Sequence, residues 1–433
     1  MIFVIIMTVI AITSMFICIL KFPSLKIKGF SIDTFYLPIL FVALLFLILP
    51  LFDKAGFFNI LTSNSSINPL KILVLFTCVS MLSIALDEAG FFKFIATIFI
   101  KRFNSSQYKL FIILYILISI LTIFTSNDIV ILTFTPFILY FSIKGKINPI
   151  PYLVMEFVAA NTYSMLLSIG NPTNIYLASI FNIGFFDYFI KMIIPTIFVG
   201  LASFITLIIL FRKSLNKKIE AFDIEDATIN NKPLCIISAI HLFLTTILLA
   251  ISSYINLEMW LICLSFASSL LLILIIYTIK TKRSRFLKST IKRIPFSLIP
   301  FVLSMFTIIY TLESYDIFKH IHTFFLNISN PNTEPIIYLV SSTLSCNIMN
   351  NIPMTLAYGS ILSYSDNILL IYATIIGSNI GALLTPVGAL AGIMWLRILK
   401  INNVDYSFSK FTKTGFIITL VLISVSIISL LII

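Results

Sequence analysis

Apolar runs of about 20 residues recur along the whole chain, and they limit its possible folds more than any other feature. Of the 433 residues, 59% are hydrophobic and 11% are charged, whereas soluble chains average about 25% charged residues. The runs are continuous and do not alternate with polar residues, which favours helices over a β-barrel. The sequence therefore predicts an all-α polytopic membrane protein with about 10 to 12 spans, some of them short or re-entrant.

The net charge of +12 could suggest binding to nucleic acid, but the basic residues lie in short loops between the apolar runs. That distribution is typical of cytoplasmic loops in membrane proteins. The N-terminus lacks a basic region and a small-residue cleavage pattern, so the first run is predicted to be a spanning helix. We therefore expect a multi-pass protein of the cytoplasmic membrane, surrounded by lipid and without a nucleic-acid partner.

Motifs in the second half of the chain repeat those of the first half at a nearly constant spacing. The pairs are Leu86-Asp87-Glu88 with Leu312-Glu313, Asn127-Asp128 with Asn350-Asn351, and residues 161–170 with 379–388. The pattern predicts repeat A at residues 1–212, a cytoplasmic linker at 213–232 and repeat B at 233–433.

The charges of equivalent loops indicate that the two repeats have opposite orientations in the membrane. Loop 280–293 contains seven basic residues and no acidic residue, so we expect it on the cytoplasmic side. Its counterpart, 53–70, contains only Asp53 and Lys54 as charged residues, and it is expected outside. Inverted-topology repeats with discontinuous helices and re-entrant hairpins are typical of secondary transporters.

Polar residues interrupt the apolar runs at four places, and asparagine, a poor helix former, occurs in each of them. We expect discontinuous helices there, whose free backbone groups and polar side chains bind a substrate or an ion near the membrane midplane. The alternatives are kinks satisfied by neighbouring helices and close packing through small residues. The candidate binding residues are Asn127, Asp128, Thr135, Asn161, Thr162, Asn171, Thr173, Asn350, Asn351, Ser378, Asn379 and Thr385.

Asp128 is the first candidate for coupling transport to an ion gradient. A charge at the bilayer centre costs about 2.5–3.5 kcal/mol, so such a residue usually faces a cavity or a partner. Asp128 has no acidic equivalent in repeat B, and we predict that it takes the coupling proton or sodium ion. Glu156 is a second titratable candidate, and its alternative is snorkelling or pairing with Lys144 or Lys146.

The sequence contains no Walker motif, catalytic triad or zinc-ligand spacing. A primary pump and an enzyme are therefore not supported. The five cysteines have no metal spacing either, so we predict no metal site and no cofactor beyond the coupling proton or sodium ion. The duplicated polar site disfavours a channel.

At four segments the sequence resembles the arsenite/antimonite permease group of the ion-transporter superfamily. Segments 82–92, 127–136, 350–354 and 385–395 are similar to that group's Leu-Asp-Glu-Ala-Gly-Phe-Phe, Asn-Asp…Leu-Thr-Pro, Asn-Asn-Leu-Pro-Met and Thr-Pro-Ile-Gly-Ser-Leu-Ala…Trp. Two departures stand out. Segment 169–175 looks more like the related sodium-coupled anion permeases, and Ile129-Val130 replaces the group's Gly-Ala.

The resemblance implies two inverted repeats with re-entrant hairpins, alternating access and a homodimer. For the arsenite group it implies efflux of arsenite or antimonite driven by protons, with a soluble ATPase subunit as a further partner if the protein is of that type. The open alternatives are a sodium-coupled symporter of dicarboxylate, citrate or sulfate, and a sodium/proton antiporter.

Overall fold

The computed structural model of the protein describes residues 1–22, 24–27, 30–62, 68–103, 106–219, 228–252 and 254–433. In the first half the elements are α1 (Ile2–Lys21), β1 (Ser24–Ile27), β2 (Phe30–Asp33), α2 (Leu37–Ile48), α3 (Lys54–Thr62), α4 (Pro69–Glu88), α5 (Phe91–Phe103), α6 (Gln107–Phe124), α7 (Asn127–Lys144), α8 (Ile150–Tyr163), α9 (Pro172–Ile180) and α10 (Phe185–Leu215). In the second half they are α11 (Lys232–Ile251), α12 (Met259–Thr281), α13 (Arg285–Arg293), α14 (Leu298–Glu313), α15 (Ile317–Ile328), α16 (Glu334–Met349), α17 (Asn351–Leu362), α18 (Ile368–Gly381), α19 (Leu390–Ile401) and α20 (Phe408–Leu430). Two short 3-10 turns, Ser168–Gly170 and Pro386–Gly388, complete the list.

Nine helical segments in the described ranges are long and apolar enough to cross a membrane. Two shorter apolar helices, α2 and α18, add to them. One of the nine segments, Arg285–Glu313, comprises the basic helix α13 and the apolar helix α14. The prediction of a polytopic, helical membrane protein is therefore confirmed.

A small β-hairpin departs from the all-α prediction. Strands β1 and β2 pair in antiparallel fashion, with Ser24 opposite Asp33 and Ile27 opposite Phe30. Apolar and polar residues alternate within each of the two strands, and such alternation favours strands. The hairpin is a local addition outside the apolar runs, so it leaves the helical architecture unchanged.

The two halves of the chain pack in the same pattern. Helix α1 packs on α2 and α6 on α8, and in the second half α11 packs on α12 and α16 on α18. The halves also contact one another through α2 with α14, α4 with α12, and α10 with α20. The predicted linker overlaps the end of α10, and its residues 220–227 lie outside the described part of the chain.

Small residues bring α16 and α18 together. A Cβ atom on Gly377 would stand 2.0 Å from Ser342 Oγ, and one on Gly381 would stand 2.7 Å from the carbonyl oxygen of Thr343. Glycine at these two positions therefore allows the helix backbones to approach closely, as is common in membrane proteins. This contact fixes the position of α18, which carries two of the candidate site residues.

Candidate functional site

Four gaps between helices coincide with the four predicted polar interruptions. Break 1 (125–126) separates α6 from α7, and break 2 (164–171) separates α8 from α9. Break 3 is residue 350, between α16 and α17, and break 4 (382–389) separates α18 from α19. Breaks 2 and 4 each contain a 3-10 turn. The helix ends at these breaks leave backbone N–H and C=O groups free to bind a ligand.

Local sequence explains why the chain leaves the helix at break 2. Asn171 is the N-cap of α9, and its Oδ1 accepts a hydrogen bond from the Thr173 backbone N–H at 3.3 Å. Pro172 follows as the first helical residue, where its missing N–H has no consequence. A Cβ atom on Gly170 would stand 2.2 Å from the Ser164 carbonyl oxygen, so glycine is required where the turn folds back.

Asn350 holds break 3 and connects it to break 4. Its φ of 74° and ψ of 155° lie in a part of the Ramachandran map that residues other than glycine rarely adopt. Its side-chain Nδ2 donates to the Val387 carbonyl oxygen at 2.9 Å, and its Oδ1 accepts from the Ile352 backbone N–H at 3.4 Å. The asparagine therefore caps α17 and joins the two breaks of the second half. The neighbouring candidate Asn351 is buried in the first turn of α17.

A buried network of amides and hydroxyls joins the two halves. Asn379 accepts hydrogen bonds from Ser164 Oγ at 3.1 Å and from Asn171 Nδ2 at 3.0 Å. Its own Nδ2 donates to Asn174 Oδ1 at 2.8 Å, and Ser378 Oγ lies 3.1 Å from Thr173 Oγ1. Break 2 of the first half thus contacts α18 of the second half directly. Candidates that lie more than 200 residues apart in sequence are brought together here.

Within the first half, Asn127 and Asn161 form a second buried pair. Asn127 Nδ2 donates to Asn161 Oδ1 at 3.1 Å, which joins the start of α7 to α8. Four buried polar atoms at breaks 1 and 2 have no hydrogen-bond partner within the described residues: Ser126 Oγ, Asn127 Oδ1, Thr162 Oγ1 and Ser168 Oγ. Since buried polar groups are nearly always satisfied, these atoms indicate a place for an ion, a water molecule or a polar cargo.

Thr135 and Glu156 lie together away from the breaks. Glu156 is fully buried on α8, and Thr135 Oγ1 of α7 lies 3.1 Å from both of its carboxylate oxygens. Glu156 therefore does not snorkel to the surface, and it forms no ion pair with a lysine among the described residues. Helix α7 continues through Pro136 without interruption, so the discontinuity lies before Asn127 and not at the proline.

Thr385 lies in break 4, and its side chain forms a hydrogen bond to α16. Its Oγ1 donates to Asn347 Oδ1 at 2.6 Å, and Asn347 Nδ2 in turn donates to the carbonyl oxygens of Thr343 and Gly381. Asn347 thus connects α16, α18 and break 4 with a single side chain. In the described part of the chain, no group of three or more His, Cys, Asp or Glu side chains could hold a metal ion.

A cavity of about 1080 Å³ reaches two of the breaks from the protein surface. Ser126 and Asp128 line it at break 1, and Pro386 and Val387 line it at break 4. Asp128 forms no ion pair with a described residue. The remaining charged residues of the wall are Lys21, Asp33, Lys292, Arg293, Arg397 and Lys400. Basic side chains therefore outnumber acidic ones on its wall, and Asp128 is one of the two acids there.

An ionic cluster stands beside this cavity. Arg293 lies 2.6 Å from Asp87 Oδ2 and 2.7 Å from Glu88 Oε1, and Thr133 Oγ1 donates to Asp87 at 2.7 Å. Ser289 of α13 also donates to Glu88. These contacts tie α13 to α4 and, through Thr133, to the helix that carries Asp128. Arg293 lines both the large cavity and a second cavity of about 710 Å³.

Several residues of these networks were absent from the predicted binding residues, among them Ser164, Asn174, Asn347 and Arg293. Ser164, Asn174 and Asn347 lie within or beside the polar segments, so their sequence positions offered a signal. The sequence position of Arg293 gave no such signal, because basic residues in a cytoplasmic loop are usually solvated cations. Its acidic partners are about 200 residues away in the chain.

Helices broken around a buried polar site, with a cavity that reaches two of the breaks, are typical of membrane transporters. The family model described as citrate transporter, CitMHS, matches residues 1–367. The chain therefore belongs to the CitMHS citrate transporter family, which is a family of transporters and not of enzymes. Together with the nine apolar segments, this identifies a multi-pass transporter of the cytoplasmic membrane.

Individual relatives agree with this family. The arsenical pump membrane protein of Escherichia coli K12 is 25% identical over 371 residues, covering 82% of this chain and 84% of the relative. The arsenical pump membrane protein of Yersinia enterocolitica is 24% identical over 372 residues, with the same coverage of 82% and 84%. The predicted resemblance to arsenite permeases is thus confirmed.

A solved structure shows a related fold. The YdaH transporter of Alcanivorax borkumensis, described as having an unusual topology, aligns with a TM-score of 0.57 and 12% identity. The alignment covers 99% of this chain and 97% of that one. At this identity the likeness concerns the fold alone.

Proposed function

We propose that the chain is a secondary active transporter that exports arsenite or antimonite in exchange for protons by alternating access. The observation that carries this proposal is Asp128 on the wall of the large cavity beside break 1, a carboxylate with no ion pair to a described residue. Two relatives named as arsenical pump membrane proteins support the choice of cargo.

The chemistry of the Asp128 carboxylate explains how cargo could be exchanged for protons. Arsenous acid is uncharged at neutral pH, and its hydroxyl groups can donate hydrogen bonds to an ionised carboxylate, which accepts them strongly. A proton on Asp128 removes that acceptor. Cargo and proton would then bind alternately to the same carboxylate, which is the requirement for antiport. The unpartnered Ser126 Oγ and Asn127 Oδ1 stand beside it as further polar groups.

The cavity supports an inward-facing state. Lys292 and Arg293 of its wall belong to loop 280–293, which the positive-inside rule predicts to be cytoplasmic. Alternating access would then move the two repeats relative to one another. The hydrogen bonds of Asn379 to break 2 and to α9 form the contact that such a movement must rearrange. A homodimer and a soluble ATPase subunit stay predictions from the resemblance.

A second candidate is a sodium-coupled symporter of dicarboxylate, citrate or sulfate. The name of the family model supports it, and so does the basic wall of the cavity, which attracts anions. An anionic cargo would be repelled by an ionised Asp128, so a sodium ion or proton would have to neutralise the carboxylate first. Cargo and cation would then bind together, which gives symport in place of exchange.

Transport by inverted membrane vesicles separates the two candidates. Under the first, an imposed pH gradient that is acid inside drives accumulation of arsenite, and a sodium gradient has no effect. Arsenite that stays at background while sodium drives movement of succinate or citrate would contradict arsenite export and support the symporter. Vesicles from cells without the protein serve as the control.

A further inference from the structure

Helix α13 is a short basic helix between two apolar helices, α12 and α14. Six basic residues of this region are exposed: Lys280, Lys282, Arg283, Arg285, Lys288 and Lys292. Among the described residues none of the six forms an ion pair. Segment 280–293 contains no acidic residue, so the segment itself carries a dense positive charge.

The two faces of α13 have different partners. Arg285, Lys288 and Lys292 follow the spacing of one helix face and are exposed. Ser289 and Arg293 lie along one edge of that face, where they bind Glu88 and Asp87 at the end of α4. Thr290, on the opposite face, is fully buried. The inner contacts hold the helix in place, and the outer face is left for a partner outside the chain.

Large apolar side chains flank the basic patch. Ile279 is 70% exposed, Ile291 is 39% exposed and Phe296 is 50% exposed. Helices with a basic face and exposed apolar anchors lie in the membrane interface. Because α13 connects two helices that are themselves in the bilayer, the headgroup region is the surface nearest to it.

We propose that segment 279–296 is a docking surface for anionic phospholipid headgroups. Basic clusters immediately cytoplasmic of a spanning helix attract anionic lipid, with a contribution from each Lys or Arg near the surface. The apolar side chains of Ile279 and Phe296 enter the acyl boundary while the basic residues contact headgroup phosphates. Arg293 and Lys292 also line the large cavity, so bound lipid stabilises one wall of it. Lipid binding by this surface is independent of the cargo that the cavity takes.

Native mass spectrometry of the full-length protein in detergent tests this surface, with dioleoyl phosphatidylglycerol as the anionic probe and dioleoyl phosphatidylcholine as the neutral one. The variant Arg283→Gln/Arg285→Gln/Lys288→Gln removes three exposed charges that neither line the large cavity nor contact Asp87 or Glu88. We expect its affinity for phosphatidylglycerol to fall by at least about tenfold, with phosphatidylcholine binding unchanged.

The matched control is Lys213→Gln/Lys217→Gln/Lys218→Gln, which removes three exposed charges at the start of the predicted linker 213–232. This control should keep phosphatidylglycerol affinity within about twofold of wild type. Unchanged affinity in the α13 variant, or an equal loss in the control, would overturn the proposal. If the triple variant does not fold, the single substitution Lys288→Gln in the same assay must still lower phosphatidylglycerol affinity relative to Lys218→Gln, and equal affinities would again reject the surface.

Discussion

Replacing Asp128 by asparagine should reduce proton-driven accumulation of cargo to the level of vesicles that lack the protein. Asparagine has nearly the same shape as aspartate but takes no proton and carries no charge, so the coupling step is lost while the cavity keeps its form. Asp128 has no ion-pair partner among the described residues, and the substitution therefore leaves no opposite charge buried alone. The protein should still insert and give a monodisperse peak in detergent.

Asp405→Asn is the matched control for this variant, because it makes the same change at a side chain that is 87% exposed and does not line the cavity. It should transport like wild type. Asp128→Glu retains a carboxylate and should keep measurable coupled flux. Wild-type accumulation by Asp128→Asn would remove Asp128 from the coupling mechanism.

Replacing Arg293 by alanine should destabilise the protein by about 2–4 kcal/mol. The substitution leaves Asp87, with a side chain only 8% exposed, and Glu88, at 19%, without their cation. Removing one partner of a buried ion pair costs more than removing both, because the remaining charge is left uncompensated. Partial exposure of Arg293, at 33%, keeps the effect below that of a fully buried pair. The apparent melting temperature in detergent should fall by about 4–8 °C.

Lys292→Ala provides the comparison. Lys292 is the exposed cation next to Arg293, and it forms no ion pair among the described residues. It should melt within about 1 °C of wild type. The triple variant Arg293→Ala/Asp87→Asn/Glu88→Gln should recover most of the lost stability, because it removes the uncompensated charges as well. Equal melting temperatures for Arg293→Ala and Lys292→Ala would show that the cluster contributes nothing to stability.

The sequence was sufficient to predict the breaks but not the pairs that form across them. Asn161 and Asn379 are detectable because amides inside apolar runs are costly without a partner. That Asn379 binds Asn171 and Asn174 of the other half depends on how the halves dock, and local pattern contains no such information. Arg293 shows the same limit, because a basic loop residue gives no sign of acidic partners on a distant helix. The β-hairpin was missed because its alternation spans only four residues in each strand.

Cysteine accessibility tests most directly whether the cavity at Asp128 is the transport path from the cytoplasm. In a background without native cysteines, Leu390→Cys places a thiol on the cavity wall beside break 4, and Leu420→Cys places one on an exposed apolar face of α20. A membrane-impermeant maleimide should label Leu390→Cys in inverted vesicles and not in intact spheroplasts, and it should leave Leu420→Cys unlabelled in both. Labelling of Leu390→Cys only from the outside, or from neither side, would contradict a cytoplasm-facing cavity that leads to Asp128.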